Sequence, residues 1–183
     1  MNRTLSLVAL ALAPASLCGQ GWGPVKYVGA GAGLVSPSGS FGDVDKAGWH
    51  LLFTAQGKLK GVPFSIDGVY GQTGHDGGVE GTSTLGGAIA NLVLHLGSET
   101  RRVRPFVLAG VGAVRVNIDV PGFGAAAATK SAFDAGAGVL VGGGPDGGGR
   151  RWFLVARYIS VATPKSTAFI PLTAGVVFPV GRR

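Results

Sequence analysis

Eight stretches of the chain alternate large apolar residues with small or polar ones, period two, between turn-forming residues. They run Lys26–Val35, Ala47–Lys58, Phe64–Gln72, Leu85–Leu96, Val103–Val116, Ala132–Val141, Trp152–Ser160 and Phe169–Phe178. Period two belongs to the β-strand, whose successive side chains point to opposite faces. Each stretch has about the 9–11 residues a tilted strand needs to cross a bilayer, or slightly more. In the second, Ala47, Trp49, Leu51, Phe53 and Ala55 share one face, opposite Gly48, His50, Thr54, Gln56 and Lys58. In the third, Phe64, Ile66 and Tyr70 oppose Ser65, Asp67 and Gly71. The fourth opposes Ala88, Ala90, Leu92 and Leu94 to Asn91 and His95. The sixth sets Phe133, Ala135, Ala137 and Val139 against Asp134, Gly136 and Gly138, and the eighth sets Ile170, Leu172, Ala174, Val176 and Phe178 against Thr173 and Gly175. An apolar face opposite a Gly-rich polar one is the pattern of lipid outside and lumen inside.

Composition narrows the alternatives. Of 183 residues 34 are glycine, 46% are hydrophobic and only 14% are charged. That excludes disorder, which needs low hydrophobicity and high charge, and the glycines lack the three-residue period of collagen. Met1–Thr4 with Arg3, the apolar stretch Leu5–Leu17 and the small residues Ser16 and Gly19 read as a cleaved signal peptide over residues 1–20. The stretch is too short for a transmembrane anchor. Residues 21–183 then form one β domain. The one cysteine, Cys18, falls at the cleavage region and leaves with the signal. Leu17 stands where a lipidated cysteine normally has a small residue.

The connections alternate in length. Ser36–Lys46, Thr73–Thr84, Asn117–Ser131 and Val161–Ala168 are expected as long outer loops, while Leu59–Pro63, Gly97–Arg102 and Gly142–Arg151 are the shorter, periplasmic ones. The depths of the aromatic residues agree with this layout. Trp49, Tyr70, Phe133 and Tyr158 fall on the apolar face near the outer ends, and Phe64, Trp152 and Phe178 near the periplasmic ends. Two girdles of rings are what the two membrane interfaces favour. The expected fold is an all-β, eight-stranded antiparallel up-and-down transmembrane barrel.

Several strings carry a family likeness. Tyr27–Pro37 (YVGAGAGLVSP), Arg104–Ala113 (RPFVLAGVGA), Ser131–Val141 (SAFDAGAGVLV) and Phe153–Tyr158 (FLVARY) resemble the small OmpA-like and opacity-protein-like outer-membrane β-barrels. Thr173–Phe178 is similar to that family's terminal assembly signal. The resemblance implies a bacterial outer-membrane location, outer-membrane lipids as surroundings and the barrel assembly machinery as a partner recognising Thr173–Phe178.

The side chains offer little chemistry. His50 and His95 fall on the lumen face and His75 in a long loop, with no metal-ligand spacing among them, so neither metal nor cofactor is expected. No serine shares a strand face with a histidine and a matching carboxylate, and no catalytic residue is assigned. Gly142–Gly147 matches G-x-G-x-x-G only formally, because Pro145 within it spoils the phosphate cradle and Gly148, Gly149 and Arg150 follow instead of a helix. Asp67, Asp134 and Arg157 sit mid-strand on lumen faces, and an unpaired buried charge is costly, so they are expected to pair in a polar network with His50 and His95. Strict alternation puts Arg115 on the lipid face, against expectation for a charge.

The net charge of +7 does not indicate nucleic acid, since the basic residues form no aromatic-lined groove. Lys58, Lys60, Arg101, Arg102, Arg104, Arg150, Arg151, Arg182 and Arg183 instead gather at the inferred periplasmic rim, and Asp43, Asp45, Asp76, Glu80 and Asp119 in the outer loops. The functional expectation is a structural or adhesion-like surface role without a wide pore. Two other classes stand beside it: a soluble lipocalin-like barrel, which would turn its apolar face inward, and an outer-membrane lipid-modifying enzyme.

Overall fold

The computed structural model describes residues 24–39, 45–75, 81–98, 101–120, 124–142, 149–163 and 167–180, without the side chains of 120 and 124–126. The proposed signal segment, Cys18 and most of the Gly142–Gly147 turn lie outside the described residues. Eight strands follow one another: β1 (Val25–Gly39), β2 (Gly48–Leu59), β3 (Val62–Gly74), β4 (Thr82–His95), β5 (Val103–Val120), β6 (Gly124–Gly142), β7 (Arg151–Val161) and β8 (Thr167–Pro179). Each pairs antiparallel with the next, and β8 returns to β1 to close the barrel. The closing seam runs through thirteen register pairs, from Tyr27–Pro179 to Gly39–Thr167. All eight stretches marked by alternation are strands, most of them extended by a few residues at their ends.

The facing also follows the sequence pattern. Outward side chains are apolar and exposed: Leu34 at 67%, Leu92 at 64% and Phe133 at 60% of their accessible surface. Inward ones are buried and include His50, Thr54, Asp67, Asn91, Asp134, Arg157 and Thr173. A lipocalin-like arrangement would have these faces exchanged. The interior is stacked in layers. Towards the loop end, Val35, Leu85, Ile89, Val114, Ile159 and Phe169 form one apolar cluster. Towards the terminal end, where β1 begins and β8 ends, Leu52, Val69, Phe106, Leu108, Leu140, Phe153, Val155 and Val177 form another. Side chains fill the lumen, as an eight-stranded circumference requires. Glycine makes the filling fit, because the Phe153 ring lies where a Cβ on Gly175 would stand.

Turn chemistry sets the terminal end. Lys60 and Gly61, at φ 50° and 86°, are the two central residues of the β2–β3 hairpin. Two successive positive φ values match the twist of the flanking strands. The expected alternation of long outer and short periplasmic connections does not hold: β4–β5 and β6–β7 are joined by seven and eight residues at the terminal end, β5–β6 and β7–β8 by only three and five at the loop end. The segment from Asn117 to Ser131 is not a long loop: β5 and β6 continue as a paired ladder to Val120–Gly124, leaving a three-residue connection. The four successive alanines, Ala125–Ala128, offer no alternation by which to mark a strand. Arg115 does face outward, and the register does not slip there. It pairs with Gly86, which pairs with Tyr70 of the outer girdle, and its Nε donates to Asn117 Oδ1 at 3.2 Å. The charge therefore sits beside the girdle, where the strands leave the apolar belt.

A closed ladder leaves no edge to fray, so unfolding is slow even in detergent. Purified barrel is expected to migrate differently on detergent gels before and after boiling. A chain ending at residue 166, which lacks β8, is expected to show one mobility only. Two mobilities from the truncated chain would mean that β8 does not close the sheet.

Candidate functional site

Between the two apolar clusters lies a charged layer. Its centre is Arg157 of β7, with Val155 and Ile159 of the two clusters on either side along the strand. Arg157 Nε donates to Asp134 Oδ1 at 3.2 Å and Oδ2 at 3.0 Å, and its Nη2 also donates to Asp134 Oδ2. On the other side Nη1 donates to Asp67 Oδ2 at 2.9 Å. Asp67 Oδ2 further accepts from Asn91 Nδ2 at 2.9 Å and Ser65 Oγ at 3.3 Å. One guanidinium thus joins β3, β4, β6 and β7 across the lumen. All three charged side chains are at most 4% exposed.

Local sequence explains the placement. Gly136 is the register partner of Arg157, and an added Cβ there would meet Arg157 Cγ at 3.0 Å. The arginine stem occupies the room that this glycine leaves. On the other side of β7 the ladder with β8 breaks between Ala156–Leu172 and Ile159–Phe169. Pro171 lies in that gap and has no N–H to donate. The planar fork of arginine suits two carboxylates better than a lysine would, because it fixes both distance and direction.

One histidine, His50, does not enter as the sequence suggested. His50 reaches past β1, where its Nε2 and Thr173 Oγ1 of β8 are 2.7 Å apart, and no bond joins it to Arg157, Asp67 or Asp134. Of the network proposed from sequence, the structure brings together Asp67, Asp134 and Arg157 and leaves His50 apart. His95 lies nearer the terminal end, its ring centre 6.1 Å from that of Phe106. It lines a small cavity that also touches Gln56, Asp67 and Arg157. The seven girdle residues all lie on the outward face. Trp49 and Tyr70 pack together at 5.8 Å, and Phe133, Tyr158, Trp152 and Phe178 are exposed. Phe64 is half-buried there. In β3 and β7 the two girdles are each six residues apart, Phe64 to Tyr70 and Trp152 to Tyr158. That is about 20 Å along a strand, or about 15 Å of height at a tilt of about 40°, within an apolar band about 25 Å tall.

A second polar cluster was not legible in the sequence. At the loop end Thr73 Oγ1 donates to Asp45 Oδ2 at 2.6 Å, and His75 Nε2 lies 3.3 Å from Asp45 Oδ1 and 3.1 Å from Ser83 Oγ. A serine, a histidine and a carboxylate do therefore meet, contrary to the expectation that none would. Their geometry is not that of a nucleophile and its base. Both partners meet the same ring nitrogen, and the carboxylate needs the proton there. Nε2 then has no lone pair with which to take the serine proton, and Nδ1 is buried without a partner. The cluster fastens the start of β2's approach (the Asp45–His75 bridge) to the loop end of β3 and β4.

The fold has known counterparts. The chain superposes on the crystal structure of Neisserial surface protein A with a TM-score of 0.65, at 20% identity, over 84% of this chain and 96% of that one. On Ail, the attachment invasion locus protein of Yersinia pestis, the TM-score is 0.50 at 17% identity, over 85% and 99% of the two chains. No protein-family model matches the chain, and no curated protein matches it in sequence. The architecture is that of the small eight-stranded outer-membrane β-barrels.

Removing Arg157 would leave two buried carboxylates without their shared cation. Arg157→Ala is expected to destabilise the barrel by about 3–5 kcal/mol in a denaturant titration. Asp134→Ala in the same background should cost less than it does alone, giving a coupling of at least about 1 kcal/mol in a double-mutant cycle. Additive losses would mean that the charges are separately hydrated.

Proposed function

We propose that the protein is an integral barrel of a bacterial outer membrane that acts structurally and through its outward-projecting β5–β6 hairpin. The observation that carries the membrane reading is the exposed apolar wall, girdled by rings at two depths, around a polar and filled interior. Side chains of that kind in water would be an aggregation hazard, whereas in lipid they are solvated. The likeness in fold to Neisserial surface protein A and Ail supports the same location. Thr173–Phe178, on the closing strand, is the segment we assign to recognition by the assembly machinery.

The surface role rests on the hairpin. β6 runs eight residues, 124–131, beyond its last pair with β7 at Ala132–Val161. Ser131 O still accepts from Ala162 N–H at 2.8 Å, and over 124–130 the second edge has no ladder partner among the described residues. Ala127, Ala128, Thr129 and Lys130 are exposed there. Unpaired strand edges with small side chains invite an extended segment of another chain. Ail is by name an attachment protein, and a related, adhesion-like role fits the projecting hairpin here. No reaction is assigned, since neither polar cluster offers an activated nucleophile.

Two measurements on one variant test this reading. An Asn-Gly turn in place of Val116–Ala128 joins Arg115 to its register partner Thr129 and removes most of the projection. Wild type and variant are both expected in the carbonate-resistant outer-membrane fraction, while cells carrying the variant attach less well to host-matrix-coated surfaces. Recovery of the wild type in the soluble periplasm would overturn the membrane reading. Unchanged attachment would overturn the adhesive one.

A further inference from the structure

The end of the barrel where β1 begins and β8 ends differs in charge from the rest. Among the described residues it carries Lys26, Lys58, Lys60, Arg101, Arg102, Arg150 and Arg151 and no carboxylate. The described carboxylates Asp45, Asp67, Asp119 and Asp134 lie in the middle layer or at the loop end. Glu99 and Asp146 belong to connections at the terminal end but fall outside the described residues, and they offset two cations at most. Lys26, Lys60, Arg101, Arg102 and Arg150 are exposed.

Their neighbours on the outer wall are apolar. Leu59 and Val62 flank the two-residue turn that contains Lys60, Val103 follows Arg102, and Trp152 lies two residues from Arg150. These apolar residues are exposed as well. The cations are thus spread around the circumference, on β1, the β2–β3 turn and the β4–β5 and β6–β7 connections, each directly beyond the lipid-facing belt. A soluble polyanion would be better served by cations gathered in one groove. A ring against an apolar belt suits molecules that themselves form a ring around the barrel, with acyl chains on the belt and a negative head at its edge.

We infer that this rim selects anionic glycerophospholipids, its lysines and arginines binding their phosphates. The inference rests on the membrane reading above. A small headgroup fits, because the described turn at Lys60–Gly61 is too short to wall in a sugar. Each basic side chain near an anionic surface strengthens attraction several-fold, and salt weakens it.

The test uses full-length mature barrel refolded into vesicles of phosphatidylcholine alone, with added phosphatidylglycerol, or with added lipid A. Lipid retained on the purified barrel after detergent extraction is counted by native mass spectrometry. Phosphatidylglycerol is expected to be enriched over phosphatidylcholine by about tenfold at low salt. Lys26→Gln/Lys60→Gln/Arg102→Gln/Arg150→Gln is expected to lose most of that enrichment, whereas Lys46→Gln/Lys130→Gln at the loop end keeps it. Heat-shifted gel mobility checks that each variant is folded and inserted. No enrichment in the wild type, or full enrichment in the folded fourfold variant, would overturn the inference, and so would preference for lipid A over phosphatidylglycerol. Failure of the wild type to insert into phosphatidylcholine would instead overturn the membrane reading.

Discussion

Closure of the sheet is the constraint on which everything else depends. In hydrocarbon an unpaired backbone N–H or C=O has no water to turn to, so a strand protein can cross a membrane only as a ring. The β1–β8 seam meets that demand with an unbroken register from Tyr27–Pro179 to Gly39–Thr167. The one gap in the neighbouring β7–β8 ladder lies where Pro171 cannot donate, beside the lumen's charged layer. With eight strands the ring is narrow, and alternation then commits half of every strand to a crowded interior and half to the surroundings.

The interior answers the crowding with layers. Two apolar clusters flank Arg157, Asp134 and Asp67, so the charges lie away from bulk solvent at both ends. Such a layer is a poor source of net stability, since desolvating three charges offsets much of their attraction. Its value is in register. The fork of Arg157 fits only if Asp134 and Asp67 arrive at fixed heights on β6 and β3, and slipping either strand by one residue would turn its carboxylate into the lipid. The charged layer therefore penalises misregistered barrels more than it rewards the native one.

How much of this was legible follows from where each signal is stored. Facing is stored locally, so the strands, the girdles and the inward charges could be read from alternation alone. Arg157 needed a partner wherever it went, which singled out the two inward aspartates. His50 needed only a hydroxyl, and nothing in spacing marks Thr173, 123 residues away, as the one it meets. The same applies to Asp45, Thr73, His75 and Ser83, which come together only because the loop ends of β3 and β4 converge with the approach to β2. The reach of the β5–β6 hairpin was hidden for another reason: Ala127–Lys130 are exposed whichever face they take, so the stretch has no contrast to display.

The central claim is that the exposed apolar wall faces lipid. Trp49 and Trp152, at 44% and 56% exposure and in opposite girdles, report on it directly. In vesicles containing phospholipids brominated along the acyl chain, the fluorescence of single-tryptophan variants retaining Trp49 or Trp152 should be strongly quenched. Aqueous acrylamide should quench both weakly. Strong acrylamide quenching at both positions, with no effect of the brominated lipid, would contradict the account and place the wall in water.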